Sequence, residues 1–256
     1  MGITSRHQLI KRLQADVPRG APFDLGVLGR VGVSPQLAAK YVGGGWLVRL
    51  AHGVYAFPND ELGAYPAIRF LQTRVQGLHV GGGTGLAMQG VRHNLTAKQV
   101  LVLWGDDRAT LPPWFLERFP ARYVNACLFA WPDSGLAAST LHSPPGAPEG
   151  LRVAIPERAL IEMLYEAGVR QGLEEARNLF DGIRTPRKDV LGRLLSCCTS
   201  VKAVRLFLTW ARETGLVDVD ELLEQYRICT GSDRRWISRL DDGSILSLKP
   251  HGEPIR

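Results

Sequence analysis

No stretch of about eighteen consecutive apolar residues, the length a helix needs to cross a hydrocarbon core, occurs in the 256 residues, so a membrane-spanning helix is excluded. The opening MGITSRHQLIKRL lacks the continuous apolar core of a signal peptide, and the expected compartment is the cytoplasm. Cysteine is scarce. Cys127, Cys197, Cys198 and Cys229 form no Cys-x-x-Cys pair and have no histidines at ligand spacing, so no metal is expected and the four read as ordinary buried thiols. Also missing is any Ser/His/Asp or Cys/His arrangement with the context of a nucleophile. The glycines at 81–83 are followed by no Lys-Ser/Thr, are not spaced as G-x-G-x-x-G, and have no clear apolar strand before them, which argues against a phosphate loop. Neither an enzyme nor a cofactor is expected from these absences.

What the chain does have is enough apolar residue to build packed cores: 45% hydrophobic against 22% charged, with a mean hydropathy of −0.05. Its net charge of +6 is unevenly spread. Residues 1–57 hold seven Lys/Arg and two Asp/Glu, a net +5, while the remaining 24 basic and 23 acidic residues nearly cancel. Such an excess suits a module that displaces counterions from a phosphate backbone, although by charge alone it suits any acidic surface equally well.

Local signals give that basic segment a shape. Leu9, Ile10, Leu13 and Val17 recur at helical spacing, with Thr4 or Ser5 as N-cap. A short second helix is expected to carry Phe23, Val27 and Val31 on one face, with Leu28 nearby. The third has the most concordant signals: Ser34 as N-cap, Pro35 at the first helical position, and glycines at 43–45 to end it. Leu37, Ala38, Tyr41 and Val42 form its inward stripe, leaving Gln36, Ala39, Lys40 and Gly43 outward. Small and polar outward residues fit a major groove about 12 Å wide. Trp46–Leu50 and Val54–Phe57 then read as two strands around a turn at Ala51, His52 and Gly53, a wing that projects Arg49 and His52. The expected element at 1–60 is a winged helix-turn-helix, and its candidate DNA-binding residues are Arg30, Ser34, Gln36, Lys40, Arg49 and His52.

Gly45–Pro58 (GWLVRLAHGVYAFP), GTGLAMQGV at 83–91 and IPERALIEML at 155–164 resemble stretches of the AbiEi-type antitoxins, transcriptional regulators of type IV toxin-antitoxin systems. The glycine-rich GGGTG at 81–85 departs from that family's pattern. The resemblance implies a repressor of its own operon, with double-stranded operator DNA as partner. It further implies a second domain that counters a nucleotidyltransferase-like toxin, without requiring that the two proteins touch.

Residues 61–256 read as an α+β domain. A helix is expected over Tyr65–Val75, a loop and helix from near Thr84, and strands at 98–105, 121–130 and 151–156, separated by proline-rich loops. Five helical patterns follow between Pro156 and Arg227, and a hairpin about Asp242-Gly243 carries Arg234, Arg235 and Arg239. Glu157 with Arg158, Asp106 with Asp107, and Glu174 with Glu175 are acidic candidates whose plainer roles are a helix first turn, a turn and a solvated face. Two other functions stay open: a nucleotide-dependent enzyme regulated by a winged-helix module, and a winged helix that binds an acidic protein.

Overall fold

In a computed structural model the chain is described over residues 6–92, 100–240 and 243–250. Helix α1 (Arg6–Asp16) buries Ile10 and Leu13, with Val17 buried just past its end. The capping residues expected for it, Thr4 and Ser5, lie outside the described residues. Strand β1 (Phe23–Asp24) comes next, and Asp24 Oδ1 accepts the amide of Val27 at 3.0 Å to start helix α2 (Leu25–Val31). Phe23 therefore lies in a strand, contrary to the expected helical face. Leu28 and Val31 are the buried residues of α2, and Val27 is half-buried.

Helix α3 (Pro35–Gly43) starts where Ser34 Oγ accepts the Leu37 amide at 3.2 Å. Ala38 and Tyr41 are buried while Leu37 and Val42 are half-buried. Gly45, at φ +72°, turns the chain so that the amides of Trp46 and Leu47 both reach Tyr41 O, at 2.8 and 3.2 Å. This cap delays strand β2 to Val48–Ala51, and Trp46 stands outside it. Strand β3 (Val54–Ala56) follows a two-residue turn, and β1 adds on its other side, giving the antiparallel order β1-β3-β2.

Alternation along β3 has a consequence for packing. Tyr55 and Phe57 join Leu13, Phe23, Leu28 and Leu47 in one apolar cluster, whereas Val54 and Ala56 join Ile68, Leu71 and Trp114 in the next. Polar ties span the same junction: Gly63 N to Gly20 O at 2.9 Å, Arg19 to Asp60 at 3.3 Å, and Arg74 to Asp24 at 3.0 Å.

Beyond it run α4 (Ala64–Gln72), β4 (His79–Val80), α5 (Gly82–Met88), β5 (Leu101–Gly105), α6 (Pro113–Leu116), β6 (Ala121–Asn125), α7 (Ser134–Ser139), β7 (Leu141–His142) and β8 (Val153–Ala154). These are followed by α8 (Pro156–Glu166), α9 (Leu173–Asp181), α10 (Lys188–Cys197), α11 (Val201–Thr214), α12 (Val219–Gln225), β9 (Trp236–Arg239) and β10 (Ile245–Leu248). The five-stranded sheet has the order β6-β5-β4-β8-β7, with β5/β6 and β4/β8 parallel and the other pairs antiparallel. The fold is thus α+β with a mixed sheet. No helix among the described residues is long and apolar enough to cross a membrane.

Several expectations need correction. The glycine run does follow a strand, because the two residues of β4 sit mid-sheet between β5 and β8. A two-residue strand has no alternation to detect; its partners make it. The proline-rich LPPW segment holds the start of short helix α6, helix α7 precedes the proline-rich segment at 143–150, and α4 stops at Gln72, leaving Val75 beyond it. Of the cysteines only Cys198 is buried; Cys197 is half-buried, Cys127 and Cys229 are exposed, and all four are free. The residues at the expected hairpin turn, Asp241 and Asp242, lie outside the described residues, as do Lys98 and Gln99 at the start of the expected strand.

Helix α8 organises the larger core. Of its eleven residues only Pro156 and Tyr165 are not buried, and it packs against α5, α10 and α11. A helix surrounded on all sides has no polar face for its charges, so each must find a partner inside.

Candidate nucleic-acid interface

Gln36 and Lys40 are four residues apart on α3, and both are exposed, together with Ala39 and Gly43. Lys40 has no ion-pair partner among the described residues. Ser34 is exposed, and since its oxygen accepts from Leu37 its own hydroxyl proton stays available to donate. Arg30 is exposed in the last turn of α2, where a cation complements the helix dipole. On the hairpin, Arg49 is exposed and its Nε donates to Ala51 O at 3.3 Å, so the guanidinium lies back along the turn that carries exposed His52. The structure brings Ser34, Gln36 and Lys40 onto one helix and Arg49 and His52 onto one hairpin directly after it.

The basic excess of this segment survives its ion pairs with later residues, which neutralise one charge of each sign. Arg19 is paired with Asp60 and stacks on Phe57. Burial works to raise the Asp24 carboxyl, but the Val27 amide and the Arg74 guanidinium outweigh it and hold the group below its ordinary value. One of the segment's two acids is therefore matched by a cation from outside it. Two exposed apolar side chains that sequence reasoning treated as strand interior flank the end of α3: Trp46, 47% exposed, and Val48, 43% exposed. The signal that was available is Gly45, whose positive φ prolongs the cap and leaves Trp46 before the strand.

Of the acidic candidates, only Glu157 with Arg158 enters internal pairs, and Arg158 shares its pair with Glu162, which sequence reasoning did not single out. Glu162 is the centre of one. Its Oε1 lies 2.8 Å from His79 Nε2 and accepts from Arg158 Nε at 2.8 Å, while Oε2 accepts the Gly82 amide at 3.1 Å. His79 Nδ1 faces Gly77 O at 2.7 Å, and Arg158 Nη1 donates to Thr140 Oγ1 at 3.0 Å. Burial pushes the Glu162 carboxyl up, but the charges and hydrogen bonds of His79 and Arg158 bring it below its ordinary value. The amide at the head of the glycine-rich helix is thus already given to the protein's own carboxylate. The glycines answer to the same contact, since a Cβ on Gly81 would sit 2.0 Å from Glu162 Oε2 and one on Gly85 3.2 Å from Ala159 Cβ.

Glu157 and Arg158, neighbours in sequence, belong to different pairs. Glu157 is buried and accepts from Arg187 N, Nε and Nη2 at 3.0, 2.9 and 2.7 Å, and these bonds overcome burial to keep its carboxyl low. Its role is an ion pair with the half-exposed Arg187 beyond any helix-dipole effect. Asp106 and Asp107 are exposed in a turn whose carbonyls accept from Asn125 Nδ2 at 2.9 and 3.0 Å and, for Asp107, from Tyr123 Oη at 2.6 Å. Glu174 and Glu175 are exposed in the first turn of α9. Among the described residues no group of three metal-ligating side chains comes together.

Two family models match the chain. One, described as the transcriptional regulator, AbiEi antitoxin N-terminal domain, matches residues 6–97. The other, described as transcriptional regulator, AbiEi antitoxin, type IV TA system, matches residues 98–248. A search of curated proteins finds no match. Among solved structures, the crystal structure of the RV2827C protein from Mycobacterium tuberculosis is similar at a TM-score of 0.54 and 17% identity, covering 91% of this chain and 88% of that one. At that identity the likeness concerns the fold alone.

Proposed function

Since the chain belongs to the AbiEi antitoxin family, transcriptional regulators of type IV toxin-antitoxin systems, we propose that residues 1–60 form a winged helix-turn-helix that binds double-stranded operator DNA. In this reading α2 and α3 are the helix-turn-helix, α3 enters the major groove, and the β2–β3 hairpin is the wing. The observation that carries it is the outward face of α3, where Gln36 and Lys40 stand exposed one turn apart while Ala38 and Tyr41 anchor the opposite face. Gln36 is suited to a base edge, since an amide both donates and accepts, and Lys40 to phosphate or guanine. Arg30, the Ser34 hydroxyl, Arg49 and His52 hold the flanking backbone.

Residues 61–256 are the effector domain. The protein represses its own operon in the cytoplasm, counters a nucleotidyltransferase-like toxin, and performs no chemistry itself. A mobility shift of the DNA upstream of its own gene at moderate salt tests the first part. We expect a saturable shift, stronger than on an unrelated duplex, and its absence overturns the DNA reading. Co-expression with the product of an adjacent reading frame tests the second, the expected result being relief of that product's toxicity.

A further inference from the structure

A cleft of about 830 Å³ opens in the second half of the molecule, well away from α3 in the chain. It lies beside the carboxyl ends of the parallel strands β5 and β6, bounded also by the end of α8, the start of α11 and strand β9. Crevices at the carboxyl ends of parallel strands are where α/β sheets hold small ligands.

Its charge is one-sided. Arg108, Arg170 and Lys202 line it, and neither Arg108 nor Arg170 is in an ion pair among the described residues. The one acid in the wall, Glu166, is committed through Oε1 to Arg122. Asp106 and Asp107 do not line the cleft. Lys202 Nζ donates to Tyr165 O and, at 2.9 Å, to Ala167 O, and burial pushes its ammonium down to about 8. Arg122, behind the wall, is lowered first by burial and then by the charge of Arg170, which together outweigh the opposing charge of Glu175. With Arg108 and Arg170 outside any ion pair among the described residues, Glu166 already given to Arg122, and Asp106 and Asp107 outside the wall though their charges reach Tyr123, the lining favours an anion brought from outside. The first turn of the fourteen-residue helix α11 opens on the same space and adds the positive end of its dipole.

The remaining wall has another chemistry. Tyr123 and Trp236 offer aromatic surface from β6 and β9. A ligand that satisfies both features carries several negative charges and a planar ring.

We propose that this cleft binds a nucleoside di- or triphosphate, its phosphates on Arg108, Arg170 and Lys202 and its base against Tyr123 and Trp236. The site is separate from the DNA-binding face and from the glycine run at 81–83, whose Gly82 amide Glu162 already occupies.

Isothermal titration of the full-length protein with ATP, GTP, CTP and UTP tests it, alongside inorganic tripolyphosphate, an unphosphorylated nucleoside and a short single-stranded oligonucleotide. The expected result is saturable one-to-one binding of at least one nucleotide, tighter than tripolyphosphate or nucleoside. The double variant Arg108→Ala/Arg170→Ala should weaken it roughly tenfold or more while the melting temperature and the shift of upstream DNA stay as in the parent. No saturable binding up to millimolar nucleotide overturns the proposal. So does tripolyphosphate binding as tightly as any nucleotide, binding of the oligonucleotide alone, or undiminished binding by the double variant. Because the DNA shift is read separately, failure here is distinguishable from failure of the operator reading.

Discussion

Glu162 accepts the amide proton of Gly82 at 3.1 Å, across eighty residues of chain. The pair joins the end of β4 to the buried face of α8 and makes the glycine-rich turn part of the core. Removing the carboxylate would leave the Arg158 guanidinium buried without its counterion and the His79 ring without its partner. Glu162→Ala is expected to lower stability by about 3–5 kcal/mol, read from denaturant unfolding. The pH dependence has a definite sign. The folded-state carboxyl lies below its ordinary value of 4.5, so its stabilisation is present above that value and is lost as pH falls through the lower, folded one. Glu162→Gln should flatten the acid limb of the stability curve, and an unchanged limb would show that this carboxyl does not contribute to it.

Two glycines that look alike in sequence should respond oppositely to alanine. At Gly81 the new Cβ would lie 2.0 Å from Glu162 Oε2 and 2.8 Å from Trp104 Cδ1. A loss of about 3 kcal/mol is expected, combining overpacking with a disturbed buried pair. At Gly29, inside α2, a Cβ meets nothing within 4 Å, and Gly29→Ala should gain roughly 0.5–1 kcal/mol from lost chain freedom in the unfolded state. Melting temperatures of the two variants decide the matter.

On DNA, the proposed roles separate by their salt dependence. Lys40→Ala and Arg49→Ala should each weaken binding across all sequences and reduce the slope of log affinity against log salt by about 0.9. Gln36→Ala should leave that slope in place and reduce discrimination between the operator and single-base variants. Fluorescence anisotropy at several salt concentrations measures both, and an unaltered slope for Lys40→Ala would remove it as a phosphate contact.

The C-terminal hairpin hangs on one buried cation. Arg205, 1% exposed, donates from Nε to Thr230 O at 2.7 Å, from Nη1 to Arg234 O at 2.7 Å and Leu248 O at 3.2 Å, and from Nη2 to Ser232 O. Arg205→Leu removes every one of these donors and should cost on the order of 2–4 kcal/mol locally. Hydrogen exchange of Trp236–Leu248 should accelerate far more than that of α8. Uniform acceleration across the chain would mean that Arg205 supports the whole fold and not this hairpin in particular.

Thiol labelling of the native protein should be uneven. Burial raises the Cys198 thiol to about 12, leaving almost no thiolate at neutral pH, while Cys127 and Cys229 are exposed. Mass spectrometry after brief alkylation should find label on Cys127 and Cys229, with Cys198 modified only after denaturation.

The sequence by itself determined the features whose causes lie within a turn or two of chain. Ser34, Pro35 and the glycines after Val42 delimit α3 because a cap and a left-handed exit are local interactions. The five helices from α8 to α12 are legible because their apolar residues repeat at helical spacing, and the two hairpins because their strands adjoin. Residues outward on α3 follow from the same periodicity.

Tertiary structure decided the rest. Phe23 is a strand residue because Tyr55, thirty-two positions later, pairs with it. His79–Val80 is a central strand because β5 and β8 flank it. Glu157 and Arg158 read as a helix first turn, yet packing on every side of α8 buries them together with Glu162 and Glu166, and beside the i,i+4 pair Arg158–Glu162 it is the distant partners Arg187, His79 and Arg122 that make that burial tolerable. The cleft with Arg108, Arg170 and Lys202 gathers residues from four elements and the loops between them. Local propensity carries no record of a partner eighty residues away, so pairings of this kind become visible only when the chain has folded.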